Sequence, residues 1–416
     1  MEREVFLFLP NIKPKPFKMK KHRLFRFCVA VSVVIFALSI VWRGCKVPKI
    51  ETTETQKIRV GVFNGYGGAQ TCIWEALAAC SLDKDIKAQY ITTADIAAGV
   101  LDSLDAIVVP GGGGTRQYQN LGAENIRRIK EFVLNGGSAV GICAGAYLFS
   151  NTPEYSCLAL NGAQAIDLEH DNRGHGIAAF SLTDEGKKIF GEYANDDTLF
   201  CMYYEGPVFV PAPDDTIQFV EFATMLSDVH EEGDAPADMT NNRPFFIGNR
   251  YGKGKVFSCI AHPEATPGKM WMIARMVRWT QVEDDDESLK QLVENQRFGQ
   301  SEELKTNITN KEILMSIDDL KYESSCLKKL VYGEEAEKLE VLAWLKAHYS
   351  WDAKRWIQGM LFDDSPEVRA TAAEYIADIH YLTYLPDVRA AYEAEHDANI
   401  KQRIGASLER LKRLKK

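Results

Sequence analysis

The stretch Ser138-Ala139-Val140-Gly141-Ile142-Cys143-Ala144-Gly145-Ala146-Tyr147 constrains this chain more than any other. An apolar run of strand length passes through Gly-x-Cys-x-Gly into residues that begin a helix. That is the layout of a nucleophile elbow, a tight strand-to-helix turn that lifts one side chain out of the fold among small neighbours. Gly141 and Gly145 suit such a turn, where a Cβ would clash. Cys143 stands beside a helix N-terminus, whose partial positive charge favours a thiolate. The same residues also describe a buried, inert cysteine on a core strand. This segment alone leaves both readings open.

The surrounding chain supplies candidate partners. Residues 57–64 read as a β-branched strand that runs into Gly65-Tyr66-Gly67-Gly68 and then a helix through Trp74, Leu77 and Ala78. Asp105-Ala106-Ile107-Val108-Val109-Pro110 is a second apolar strand, ending in Gly111-Gly112-Gly113-Gly114. Four glycines in a row cost backbone entropy, which points to a close approach or an unusual backbone angle. Their N–H groups suit a substrate oxyanion. A helix from Ala123 to Leu134, with Ile126, Ile129, Phe132 and Val133 as its stripe, stops at Asn135-Gly136-Gly137. Strand alternating with helix predicts a parallel sheet, and ligand sites gather at the C-terminal ends of such strands. Further on, residues 200–210 read as a strand with a polar bulge and residues 219–222 as another. Residues 244–260 read as a hairpin around a glycine-containing turn. It delivers Ala261-His262-Pro263-Glu264, and Met270 to Trp279 then reads as a helix covering the sheet. His262 is placed to take the proton of Cys143, and Glu264 to orient the imidazole and stabilise its charged form.

No metal or cofactor is expected. His170 and His175, near Asp167, Glu169 and Asp171, match no standard ligand spacing, and the nine cysteines include no CxxC. Cys72 and Cys80 lie about two helical turns apart, roughly 12 Å, too far to bridge.

Pro110 to Gly114, Gly141 to Tyr147 and His262-Pro263-Glu264 occur in that order. Together they resemble the class I glutamine amidotransferase-like superfamily, and more closely the domain at the N-terminus of eukaryotic biotin-protein ligases. Tyr203-Tyr204-Glu205-Gly206-Pro207 and residues 251–256 fit that family too. The resemblance covers about residues 57–281. It implies an α/β fold with a flavodoxin-like, doubly wound, mostly parallel sheet. It also implies Cys143 as nucleophile, His262 as base and Glu264 as its partner. The oxyanion hole would come from the N–H of Gly112 or Gly113 with that of Ala144, and Tyr203, Tyr204 and Glu205 would bind substrate. No synthetase domain follows to use released ammonia, and no Gly-Arg-Gly-Arg nucleotide loop of a ligase is present. Hydrolysis of an amide or peptide-like bond, in a small molecule or a peptide, is therefore favoured over transfer of its nitrogen.

The two ends of the chain differ from this centre. Lys13, Lys15, Lys18, Lys20, Lys21, Arg23 and Arg26 crowd residues 1–26, and residues 27–42 form an apolar run. A basic region before an apolar one is an export signal. It reads as an uncleaved anchor with its N-terminus in the cytoplasm, or as a cleaved signal, and Met1 and Met19 are alternative starts. Either reading places the main domains outside the cytoplasm. Residues 43–56 read as a linker. Net charge is −9, so nothing global points to nucleic acid. Beyond Asp284-Asp285-Asp286-Glu287 the pattern is helical, with residues 282–333 as a linking region. Residues 334–416 resemble HEAT repeats in a small all-α domain. Val368, Ala372, Ile376 and Ile379 match Ile400, Ile404, Leu408 and Leu411 at an offset of about 32. Trp344, Trp351 and Trp356 are expected to pack between helices. Such a stack is either a surface for a protein partner or a helical cap on the enzyme. The expectation is a membrane-anchored or exported cysteine hydrolase, against the alternative of an idle binding module with the same fold.

Overall fold

A computed structural model describes residues 57–170, 172–213, 215–230, 235–296 and 310–414. The basic segment and the apolar run at 27–42 lie outside the described residues. Among the described residues no helix is long and apolar enough to cross a membrane.

Five strands make the parallel half of the sheet: β1 (Ile58–Phe63), β2 (Ile86–Ile91), β3 (Ala106–Val109), β4 (Ser138–Ile142) and β11 (Gly254–Cys259). Their order is β2-β1-β3-β4-β11, with Val62 beside Val108, Val109 beside Gly141 and Ile142 beside Cys259. Because these strands run the same way, the loops after β1, β3, β4 and β11 all emerge at one edge. That edge receives Gly65–Gly68, Gly111–Gly114, Cys143 and His262.

The inner strands β3, β4 and β11 are buried along their whole length because both faces are covered, whereas β2 at the edge exposes Lys87, Gln89 and Tyr90. Val60, Val62, Val108, Val140 and Ile142 pack with α1 (Gln70–Cys80) and α6 (Trp271–Trp279) on one side. Ile107, Val109 and Ala139 pack with Ile126, Ile129 and Val133 of α3 (Gly114–Leu134) on the other. Two short helices, α2 (Thr93–Ala97) and α4 (Ala144–Phe149), complete this half. The sheet is thus doubly wound, as expected.

Its other half is antiparallel. The predicted hairpin forms from β10 (Pro244–Tyr251) and β11, and the sheet continues through β9 (Val220–Met225) to β6 (His175–Leu182), with β7 (Leu199–Tyr204) also on β6. A short helix, α5 (Asp184–Ile189), follows β6.

Three local expectations are corrected. A helical stretch begins already at Gly114, so the fourth glycine is helical rather than loop, and the non-helical Gly122 (φ 70°, ψ 161°) separates that stretch from the helix expected from Ala123. The single strand expected over 200–210 is two. β7 stops at Tyr204, Glu205 turns the chain at φ 49°, and β8 (Phe209–Pro211) pairs instead with β5 (Ala163–Ala165) in a separate small sheet. The stretch 282–333 holds helices α7 (Asp286–Asn295) and α8 (Ile317–Tyr332), but Ile313–Leu314 (β12) also pairs with Gly176 and Ile177 at the sheet edge.

Residues beyond α8 form α9 (Glu335–Ala347), α10 (Lys354–Met360), α11 (Pro366–Asp378), α12 (Leu385–Ala394) and α13 (Ala398–Leu414). Ser365 caps α11 by accepting from the Val368 N–H, with Pro366 at its first turn. The two apolar series spaced by about 32 residues fall on α11, with the residue just past its end, and on α13. Both series are buried. Gln56–Lys416 is one compact unit.

Candidate active site

The turn after β4 is strained where the sequence places a nucleophile. Cys143 has φ 51° and ψ −108°, outside the regions an L-residue favours. The turn closes only over small residues: a Cβ on Gly145 would stand 2.0 Å from the Val109 carbonyl oxygen. The Cys143 N–H donates to the Cys259 carbonyl at 2.8 Å, tying the turn to the strand that leads to His262. The side chain is 8 % exposed, and its thiol donates to the Tyr204 carbonyl at 3.5 Å.

His262 leaves the end of β11 held by its own N–H, which donates to the Met202 carbonyl at 2.8 Å. Its Nδ1 lies 2.8 Å from Glu264 Oε1, and both side chains are buried. The Cys143 and Cys72 sulfurs both lie against the imidazole. A Cβ on Gly111 would stand 2.7 Å from His262 Cε1, 3.1 Å from Cys72 Sγ and 3.5 Å from Cys143 Cβ, so the three side chains converge on one point. Burial opposes the imidazolium. The Cys143 sulfur and the Glu264 carboxylate outweigh it and raise His262 well above the ordinary histidine value.

Cys72, on the first turn of α1, is a site residue that sequence reasoning considered only as a disulfide partner. Burial raises its thiol, and the hydrogen bond to His262 opposes that rise. Donor atoms of Cys72, His262 and Glu264 lie within 4.8 Å of one another, a set able to take a soft cation. Glu264 Oε1 is already committed to His262, so a cation would have to displace that hydrogen bond and the Cys72 proton.

The glycine loop offered Gly112 or Gly113 as the donor, and their N–H groups differ in what they already bond. Gly113 N–H is spent on the Gly67 carbonyl at 2.7 Å. Gly112 N–H has no partner among the described residues. Its φ of 147° and the Gly67 oxygen 2.2 Å from where a Cβ would sit make glycine obligatory there. Ala144 opens α4, where the first N–H groups have no carbonyl in their own helix. Gly112 and Ala144 are thus the pair able to hold an oxyanion.

These groups border a cavity of about 460 Å³, lined also by Cys72, Arg116, Tyr155 and, unexpectedly, Trp351 and Asp352. Of the three residues expected to bind substrate, Tyr204 and Glu205 line it and Tyr203 does not. The Tyr203 hydroxyl instead donates to the Gly206 carbonyl at 2.7 Å and accepts from Arg173, which pairs with Asp167 at 2.8 Å in full burial. His175 stacks on Tyr204 at 4.3 Å, and burial lowers its pKa to about 4.

Residues 58–326 match the sequence family described as biotin-protein ligase, N terminal. The chain belongs to that family. The match takes in the whole sheet, β12 included, and stops within α8. Three solved structures with a similar course are 12–16 % identical. SMU.1228c is 16 % identical over 56 % of this chain and 92 % of its own, with a TM-score of 0.34. The Trypanosoma brucei CTPS glutaminase domain with bound acivicin is 12 % identical over 55 % and 97 %, at 0.36. The cytoplasmic protein STM3548 from Salmonella typhimurium is 15 % identical over 54 % and 98 %, at 0.35. No curated protein matches the chain.

Proposed function

We propose that this member of the family is a cysteine hydrolase acting on an amide or peptide-like bond. Cys143 passes its proton to His262 and attacks the carbonyl carbon. Glu264 holds the ring through Nδ1 and stabilises the imidazolium. The N–H groups of Gly112 and Ala144 receive the negative oxygen of the tetrahedral intermediate. Collapse of that intermediate expels the amine, which takes the proton back from His262, and leaves a thioester on Cys143. Water, deprotonated by His262, then releases the acid.

The observation that carries this reading is the strained Cys143 against an imidazole bonded to a buried carboxylate. A buried core cysteine has no use for the strain or for a raised histidine. The basic and then apolar N-terminus supports placing the hydrolase outside the cytoplasm, anchored or released. There, transfer of nitrogen to a second active site has no evident receiver.

The test is turnover of a panel of amides and short peptides, followed by acid quenching and intact-mass measurement. The expected result is hydrolysis of at least one amide with a thioester adduct that maps to Cys143 and vanishes in Cys143→Ala. Hydrolysis that survives Cys143→Ala, or an adduct on another residue, contradicts the assignment.

A further inference from the structure

Two residues of the cavity wall lie outside the part of the chain that matches the family. Trp351 and Asp352 follow α9, some way past residue 326, yet they border the same space as Cys143 and His262. The Trp351 ring centroid lies 4.6 Å from that of His262 and 5.7 Å from that of Tyr204. The indole therefore stands over the imidazole and beside the strand end to which the Cys143 thiol donates.

The wall is fixed in place. Lys354, three residues on, is buried and places Nζ 2.6 Å from Glu75 Oε1 on α1, the helix that carries Cys72. The same ammonium lies 4.0 Å from the Trp351 ring centroid and 4.6 Å from that of Tyr381. One cation thus ties Trp351 both to the sheet domain and to the helices behind it. His380 adds a tie, accepting the Gly268 N–H at Nδ1 over 3.3 Å. Burial lowers its pKa to about 4, so the neutral ring can accept.

We infer that the C-terminal helices are a structural wall of this site, and that Trp351 is a specificity-determining residue: it admits small amides of about single-residue size and rejects extended or folded peptides. The inference rests on the reading of Cys143 as nucleophile. A cavity of about 460 Å³ suits a small molecule. An extended peptide needs an open groove on both sides of the scissile bond, and the indole closes the cavity wall beside His262.

The test measures access to Cys143 in the whole chain without requiring turnover. Wild type, Trp351→Phe, Trp351→Leu and Trp351→Ala are treated with iodoacetamide and with a bulky fluorescein maleimide. The pH is about 9, where ordinary thiols are largely ionised whatever His262 does. Labelling is followed by peptide mass spectrometry. Cys259, fully buried on β11, is read in the same digest and reports loss of fold. The rate ratio of bulky to small reagent at Cys143 is expected to rise about tenfold or more in Trp351→Ala, to rise less in Trp351→Leu and to stay within about twofold in Trp351→Phe. Should Trp351→Ala expose Cys259, the leucine variant decides. An unchanged ratio in the folded variants overturns the wall. Failure of the hydrolase reading is visible separately, as a wild-type Cys143 no more reactive toward iodoacetamide at neutral pH than a free thiol.

Discussion

His262 depends on two neighbours that act in opposite ways to its burial. Its folded-state pKa is raised, so the protonated ring stabilises the fold fully below the ordinary histidine value of about 6.5, and this contribution is lost as pH rises through the folded value. Glu264→Gln keeps the shape and one acceptor but removes the charge, lowering the folded value of His262. The variant is expected to lose about 1–3 kcal/mol relative to wild type at acid pH, with the difference shrinking toward alkaline pH. Urea unfolding across the pH range checks this, and a difference that grows with pH contradicts it. At this scale the sequence is informative where chemistry is local. Cys143, His262 and Glu264 sit in motifs whose glycines and proline are visible in the chain, whereas Cys72 carries no motif and enters the site only because α1 packs against the turn at Pro263–Ala265 that follows His262. Tyr203 shows the reverse error: it belongs to the right pentapeptide, but strand alternation turns it into the core, to Arg173 and Gly206, while Tyr204 faces the cavity.

The elements that meet at the site are joined by buried charge as well as by apolar packing. α1 and α10 are 279 residues apart at the contact between Glu75 and Lys354. Burial raises Glu75 and Lys354 opposes that rise, so the carboxylate depends on its partner to stay ionised. Lys354→Met leaves that carboxylate buried without its cation and is expected to cost about 3–5 kcal/mol, most of it recovered in the double variant Glu75→Gln/Lys354→Met. Thermal unfolding of the three variants measures the coupling, and a double variant no more stable than Lys354→Met alone contradicts it. No periodicity in either helix announces this pair. A lysine on a short helix reads as surface, and only the tertiary fold brings a carboxylate to it. The same limit hid Trp351, read from sequence as a residue packed between helices. It does pack, but against His262.

Taken as one molecule, the chain places a family domain of residues 58–326 under helices that the family match does not include. The parallel half of the sheet was legible because alternation of apolar strands with helices leaves few topologies. Of the antiparallel half the β10–β11 hairpin was legible, but β6 and the pairing of β7 and β9 with it were not, because that pairing depends on contacts between strands distant in the chain. What the whole arrangement does chemically reduces to one claim, that His262 activates Cys143. The direct measurement is the pH dependence of iodoacetamide labelling at Cys143 in wild type and in His262→Ala. Wild type is expected to react near neutral pH at least about tenfold faster than an ordinary thiol, and His262→Ala only as pH approaches the ordinary cysteine value of about 8.5. Coincident profiles for the two proteins would contradict it.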